Sequence, residues 1–245
     1  MKPVKAHTKW ASYFPEPDQR SAFTRALFDG TAPYYDRINR ILSLGSGAWY
    51  RRQALSKAGL SAGMGVLDVA TGTGLVAREA AGIVGEQGQV VGLDLSAGML
   101  TELRRGLNIP VIQATAERLP VPADCFDFVC MGYALRHVAD LKQTFAEFHR
   151  VLKPGGTLLI LEIGRPARHL GLAVAKTYFG RIIPCLSRLS TGADDAQTLM
   201  RYYWDTIEHC VPPEAIMEAL SQSDLDKVRC SVEHGIFRAY SATKA

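Results

Sequence analysis

The stretch "VLDVATGTG", Val66 to Gly74, decides the fold. A short apolar, β-branched run carries one acid, Asp68, and then turns on two glycines, Gly72 and Gly74, into the helical pattern "LVAREAAGIV". Strand, tight turn and helix are the predicted elements. The glycines let backbone approach a ligand closely, and the helix that follows aims its free amides at the same place. Three readings of Asp68 compete: a structural corner, a dinucleotide loop, or a pocket for a ligand with an amine and a ribose. Gly72-x-Gly74-x-x-Ala77 also fits the dinucleotide pattern, so the glycines alone do not discriminate. An acid at the rim would repel a diphosphate and attract an ammonium or sulfonium, which favours the third reading.

Outward from this turn, strands and helices alternate. "QVVGLDL" predicts a second strand and "SAGMLTELRRGL" its helix, with Ser96 as N-cap. "PVIQATA" is a third strand, "FDFVCMGYAL" a fourth, and "DLKQTFAEFHRVL" a helix capped by Asp140. Lys153-Pro-Gly-Gly156 turns into a fifth strand, "TLLILEI". Alternation of this kind means parallel crossovers with helices on both faces. The closing "KVRCSVEHGIFRAYSATK" reads instead as a hairpin turning at Glu233-His234-Gly235. The expected fold is therefore α/β, a Rossmann-like, mostly parallel sheet of seven strands with one antiparallel. Residues 1–20 are expected to be poorly ordered, and 21–245 to form one domain with a helical lid at 21–60 and a helical cap at 165–225.

The bulk numbers exclude several classes. The chain has 245 residues, 47% hydrophobic and 21% charged, with a net charge of +4, too mild a balance for nucleic acid. The pairs Arg51-Arg52 and Arg104-Arg105 read as solvated helix faces. Five cysteines contain no CxxC pair, which argues against a zinc knuckle or a disulfide framework and suits a reducing compartment. No metal site is expected. The start lacks a secretory apolar core, and no run reaches the ~18 apolar residues of a membrane span. The expected location is cytoplasmic.

Two further pieces extend the third reading of the glycine turn. Asp94 ends the second strand, about twenty residues past the loop, where an acid can accept both ribose hydroxyls. Alternatively it is a helix N-terminal acid favoured by the macrodipole. Met99, one turn into the next helix, could pack on an adenine face or in the core. Thr115, Ala116 and Glu117, in "ATAERLP", could border an adenine edge or form a plain surface loop.

In that order, the loop acid and glycines, the ribose acid, "AERLP", "FD" at 126–127 and "VLKPGG" at 151–156 resemble the class I S-adenosylmethionine-dependent methyltransferases. More narrowly, "FDGTAPYYDRINRILSLG" (28–45), "ALRHV" (134–138), "EFHRVLKPGGTLLILEI" (147–163) and "TGAD" followed by "RYYWDTI" resemble the ubiquinone and menaquinone C-methyltransferases. The resemblance implies S-adenosyl-L-methionine as cofactor and S-adenosyl-L-homocysteine as product. It implies that Gly72, Thr73 and Gly74 line the methionine and ribose portions and that Asp94 takes the ribose hydroxyls. Thr115 and Ala116 would border adenine, Gly132 would lie near the sulfonium, and Tyr35 would belong to a lid over the cofactor. The chain departs from the family at Thr115, where Asn or Asp is usual, at Gly132, often Ser, and at His137, often Asn.

For a quinol-type acceptor the enzyme must align a ring carbon behind an activated methyl, exclude water and remove a hydroxyl proton. Arg136 and His137 follow the fourth strand, on the face where ligands sit. Arg136 could hold a phenolate or orient a water, or simply pair with a carboxylate such as Asp140. His137 could take the proton, or lie idle at the surface. Tyr178, Phe179, Tyr202, Tyr203 and Trp204 suit a flat, oily acceptor and also ordinary packing. The expected partner is a small aromatic or lipophilic methyl acceptor; an isoprenoid one would require peripheral membrane contact, and a homo-oligomer is compatible with the chain. The rival acceptors are a phospholipid amine and a polyketide-like phenol. An NAD(P)-dependent oxidoreductase fits less well, because the only Tyr-x-x-x-Lys is Tyr240–Lys244. The rival of a different class is a non-catalytic cofactor-binding protein.

Overall fold

The computed structural model describes residues 19–43, 45–165, 177–178 and 194–245. The expectation for residues 1–20 falls almost wholly outside them, as does much of the cap expected at 165–225. Among the described residues the elements are α1 (Arg20–Leu42), α2 (Gly47–Lys57), β1 (Gly65–Val69), α3 (Leu75–Val84), β2 (Gln89–Asp94), α4 (Ala97–Gly106), β3 (Val111–Gln113) and β4 (Phe126–Gly132). A 3₁₀ turn (Leu135–His137) leads to α5 (Leu141–Val151) and β5 (Leu152–Ile163). The rest comprises α6 (Asp194–Glu208), α7 (Pro213–Ser221), β6 (Leu225–Glu233) and β7 (Phe237–Lys244).

The seven strands form one sheet in the order β3-β2-β1-β4-β5-β7-β6. Strands β1 to β5 pair in parallel, and β7 runs antiparallel to both β5 and β6. A single reversed strand is what the closing hairpin predicted. β5 starts earlier than expected, at Leu152, because Lys153-Pro-Gly-Gly156 stays in the strand as an irregularity opposite Phe126–Phe128. Gly155 takes φ +79° there, in the left-handed region that favours glycine.

Each face of the sheet has its own core. Phe145 and Phe148 of α5 pack with Leu67, Val129 and Leu158 on one side. Ala77 and Ala80 of α3 and Leu55 of α2 pack with Val66, Phe128 and Leu159 on the other. Every residue from Val66 to Val69 is buried, as a central parallel strand requires. The predicted caps hold: Ser96 Oγ accepts from Met99 N at 3.0 Å, and Asp140 Oδ1 from Lys142 N at 2.9 Å. The reading of Arg51 as solvated is corrected. Arg52 is 54% exposed, but Arg51 is turned inward, at 6%. No described helix is long and apolar enough to cross a membrane.

Candidate active site

The carboxyl ends of β1, β2 and β4 face α1 across a solvent-open cleft. This is the end of an open parallel sheet where ligands bind. Of the residues singled out from sequence, Gly72, Asp94 and Met99 line the cleft with Thr115 and Ala116. Gly132, Tyr35 and His137 line its other end. Asp68, Thr73, Gly74 and Arg136 stand behind that lining.

Asp68 is therefore not at the rim. It is fully buried, accepting from Thr71 Oγ1 at 2.6 Å and from the Cys130 thiol at 3.4 Å. Burial pushes its pKa up to about 6, against the pull of those two bonds. Its work is to fix the turn. Gly74 is structural too: it caps α3 at φ +85°, and a Cβ there would come within 3.0 Å of Leu103 of α4. The Thr73 hydroxyl points to α1 and donates to Asp36 Oδ1 at 2.5 Å.

Asp94 and Glu117 are the acids of the cleft lining, and Asp94 is the one that meets the glycine turn. Its Oδ2 accepts from Gly72 N and its Oδ1 from Ser96 N, both at 2.8 Å, so the ribose acid and the glycine turn hold each other in place. Each oxygen keeps capacity for a further hydrogen bond. Burial raises its pKa to about 6, while the Ser96 and Gly72 amides lower it.

These residues fit an adenosyl group. Asp94 supplies the hydroxyl acceptor, Ala114 to Ala116 and Met99 frame a slot, and a Cβ on Gly72 would meet no atom within 4 Å. At Gly132 a Cβ would come within 2.5 Å of Val76 Cγ2, so Val76 fills the space a serine would need. Asp94→Ala is expected to weaken S-adenosylhomocysteine binding by about 1–3 kcal/mol, measured by calorimetry. Wild-type affinity should also fall as pH drops through about 6, because protonation removes the acceptor the ribose uses. Unchanged affinity in the variant would place the ribose elsewhere.

Arg136 differs most from expectation. It is fully buried and pairs not with Asp140 but with Glu162 of β5, Nη1 to Oε2, at 2.7 Å. Its Nε donates to Thr206 Oγ1 at 3.1 Å, and the guanidinium lies 4.6 Å from the centre of the Tyr203 ring. Burial pulls its pKa down, but the Glu162 carboxylate together with Tyr203 and Tyr35 more than offsets that, so it stays charged. Tyr203 separates it from the cleft's aromatic end. That end holds His137, stacked on Tyr202 with ring centres 5.2 Å apart and Nδ1 3.0 Å from Tyr202 Oη. Beside it, the hydroxyls of Tyr35 and Tyr203 meet at 2.6 Å, and Phe28 meets His137 edge-on at 5.4 Å.

Several site residues had no role in the sequence reading. Glu162 was legible only as an acid closing an apolar run, "LLILE", which itself demands a buried partner. Phe28, Asp29 and Asp36 lay inside the quoted "FDGTAPYYD". Tyr133 gave no signal at all; it lines the cleft at φ +61°.

The slot framed by Ala114–Ala116 and Met99, with the Asp94 carboxylate beside the glycine turn, fits the adenosyl cofactor of the S-adenosylmethionine-dependent methyltransferases. The chain is an enzyme of that class, and S-adenosylmethionine is its cofactor. Solved structures agree on the fold. One is a methyltransferase from Thermotoga maritima described as a possible histamine N-methyltransferase, with TM-score 0.63 at 18% identity over 90% of this chain and 99% of that one. Another is a methyltransferase from Aquifex aeolicus, with TM-score 0.57 at 22% identity over 80% and 89%.

Sequence relatives are nearer. The ubiquinone/menaquinone biosynthesis C-methyltransferase UbiE of Coxiella burnetii is 33% identical over 216 residues, 85% of each chain. That of a Marinomonas species is 36% identical over 197 residues, 78% of this chain and 77% of the relative. The profile of the ubiE/COQ5 methyltransferase family matches residues 17–244, and the chain belongs to that family.

Proposed function

We propose that this methyltransferase acts in quinone biosynthesis and C-methylates a quinol- or phenol-type ring. The observation that carries the reading is the aromatic end of the cleft. There an imidazole fixed by Tyr202 stands beside the paired hydroxyls of Tyr35 and Tyr203. A phenol-type acceptor needs what these groups offer: a flat apolar slot, a partner for a ring oxygen, and a base for its proton. The names of the curated relatives support the same acceptor class.

The cofactor, when bound, supplies a methyl already activated on sulfonium. The chain's own part is to position and deprotonate. Phe28 and Tyr133 would close on the faces of the acceptor ring and exclude water. The Tyr35–Tyr203 pair would hold a ring oxygen. His137, held by Tyr202 Oη at Nδ1, would take the hydroxyl proton and make the adjacent ring carbon nucleophilic. Arg136 acts one layer back, holding Tyr203 through its ring while Glu162 holds Arg136.

The test is a panel of demethylated quinols, phenols and lipid amines incubated with labelled S-adenosylmethionine, with products read by mass spectrometry. Methyl on a quinol ring carbon is the expected product. Methyl on an amine nitrogen or a phenol oxygen alone would overturn the acceptor and leave the cofactor assignment intact.

A further inference from the structure

Helix α1 repeats a two-residue unit, an aromatic followed by an acid: Phe28-Asp29 and Tyr35-Asp36. The units are seven residues apart, two helical turns, and so lie on one face. Both aromatics line the cleft. Both acids reach past it to the turns that follow β1 and β2. Asp36 Oδ1 accepts from Thr73 Oγ1 at 2.5 Å; Asp29 Oδ1 accepts from Ser96 Oγ at 2.6 Å and from Gly98 N at 2.8 Å. Thr73 and Ser96 are nearly inaccessible, at 3% and 2% exposure.

The anchored segments are those on which the cofactor rests. Thr73 sits between Gly72 and Gly74, and Ser96 lies two residues beyond Asp94, whose carboxylate accepts its amide. The fit at α4 is close: a Cβ on Gly98 would come within 3.0 Å of the Asp29 backbone, so only glycine leaves α1 undisturbed. Pro33, between the two acids, removes one rung of the helix. α1 is thus a bendable wall pinned on either side of its weak point.

We infer that Asp29 and Asp36 are positioning residues that latch α1 onto the two cofactor-binding turns, so that release of the bound nucleoside requires these bonds to open. The inference rests on the cofactor assignment and is independent of the acceptor. Neither acid lines the cleft; the effect of Asp36 travels through the helix, whereas the charge of Asp29 also reaches Asp94 directly.

The test is the dissociation rate of S-adenosylhomocysteine by stopped-flow competition, combined with amide hydrogen exchange of the ligand-free protein. Thr73→Val keeps the shape and deletes the hydroxyl. It should speed dissociation on the order of 10-fold, as loss of a hydrogen bond to a charged group implies, and speed exchange in α1 while leaving α5 unchanged. Thr73→Ser should restore both. Asp36→Asn should resemble Thr73→Val, and the double variant should be no faster than either single one. Dissociation within two-fold of wild type in Thr73→Val and Asp36→Asn would overturn the latch, as would equal acceleration by Thr73→Ser. Should Thr73→Val fail to fold, Asp36→Asn and Asp29→Asn decide the matter on the same two readouts. If wild type does not bind S-adenosylhomocysteine at all, the cofactor assignment fails instead.

Discussion

Replacing Arg136 with methionine is expected to destabilise the protein by about 3–5 kcal/mol, because Glu162 would be left charged and alone in the interior. For a chain of this size that lowers the unfolding midpoint by roughly 10 °C. The sign depends on what remains, not on what is removed. Arg136→Met combined with Glu162→Met should recover most of the loss, since two well-packed apolar side chains replace a desolvated pair at little net cost. Urea unfolding of the two variants distinguishes this from a direct catalytic role. If Arg136→Met were as stable as wild type yet inactive, the guanidinium would have to act on the acceptor, and the placement behind Tyr203 would be wrong. A turnover defect is also expected in the single variant, through a loosened Tyr203.

His137→Ala is expected to lower kcat by about 10²–10⁴-fold, the range for losing a general base, with S-adenosylhomocysteine affinity unchanged. His137→Asn is the sharper comparison, because it keeps a polar side chain and removes the titrating ring. If the imidazole takes the proton, the asparagine variant should be nearly as impaired as alanine, and the acid-side fall of the pH–rate profile should flatten. Near-normal turnover in His137→Asn would mean that the ring serves only to pack against Tyr202 and Phe28, and would return the search for a base to the cleft's hydroxyls.

Much of this was legible in the chain, and the boundary has physical reasons. The sheet could be read because each strand announces itself by local pattern and each crossover by length. Asp94 and the glycine turn could be read because their geometry is set within a few residues. Asp68 was misplaced because an acid inside a strand and an acid at its rim differ by one residue of register, which no local pattern fixes. Arg136 was misassigned because its partner lies 26 residues away on the neighbouring strand. Only the sheet register, with Gly132 opposite Leu161, brings Glu162 within reach. The α1 acids were visible as letters and silent as chemistry, since their partners are hydroxyls in loops contacted only after the helix folds back.

The position of β7 has a consequence for how the protein is made. Phe237–Lys244 lies between β5 and β6 and hydrogen-bonds to both. A ribosome that stalls before Phe237 therefore holds a polypeptide with two raw strand edges and no way to join them. Such fragments invite aggregation and proteolytic clearance. The residues translated after the whole catalytic half are those that decide whether it survives.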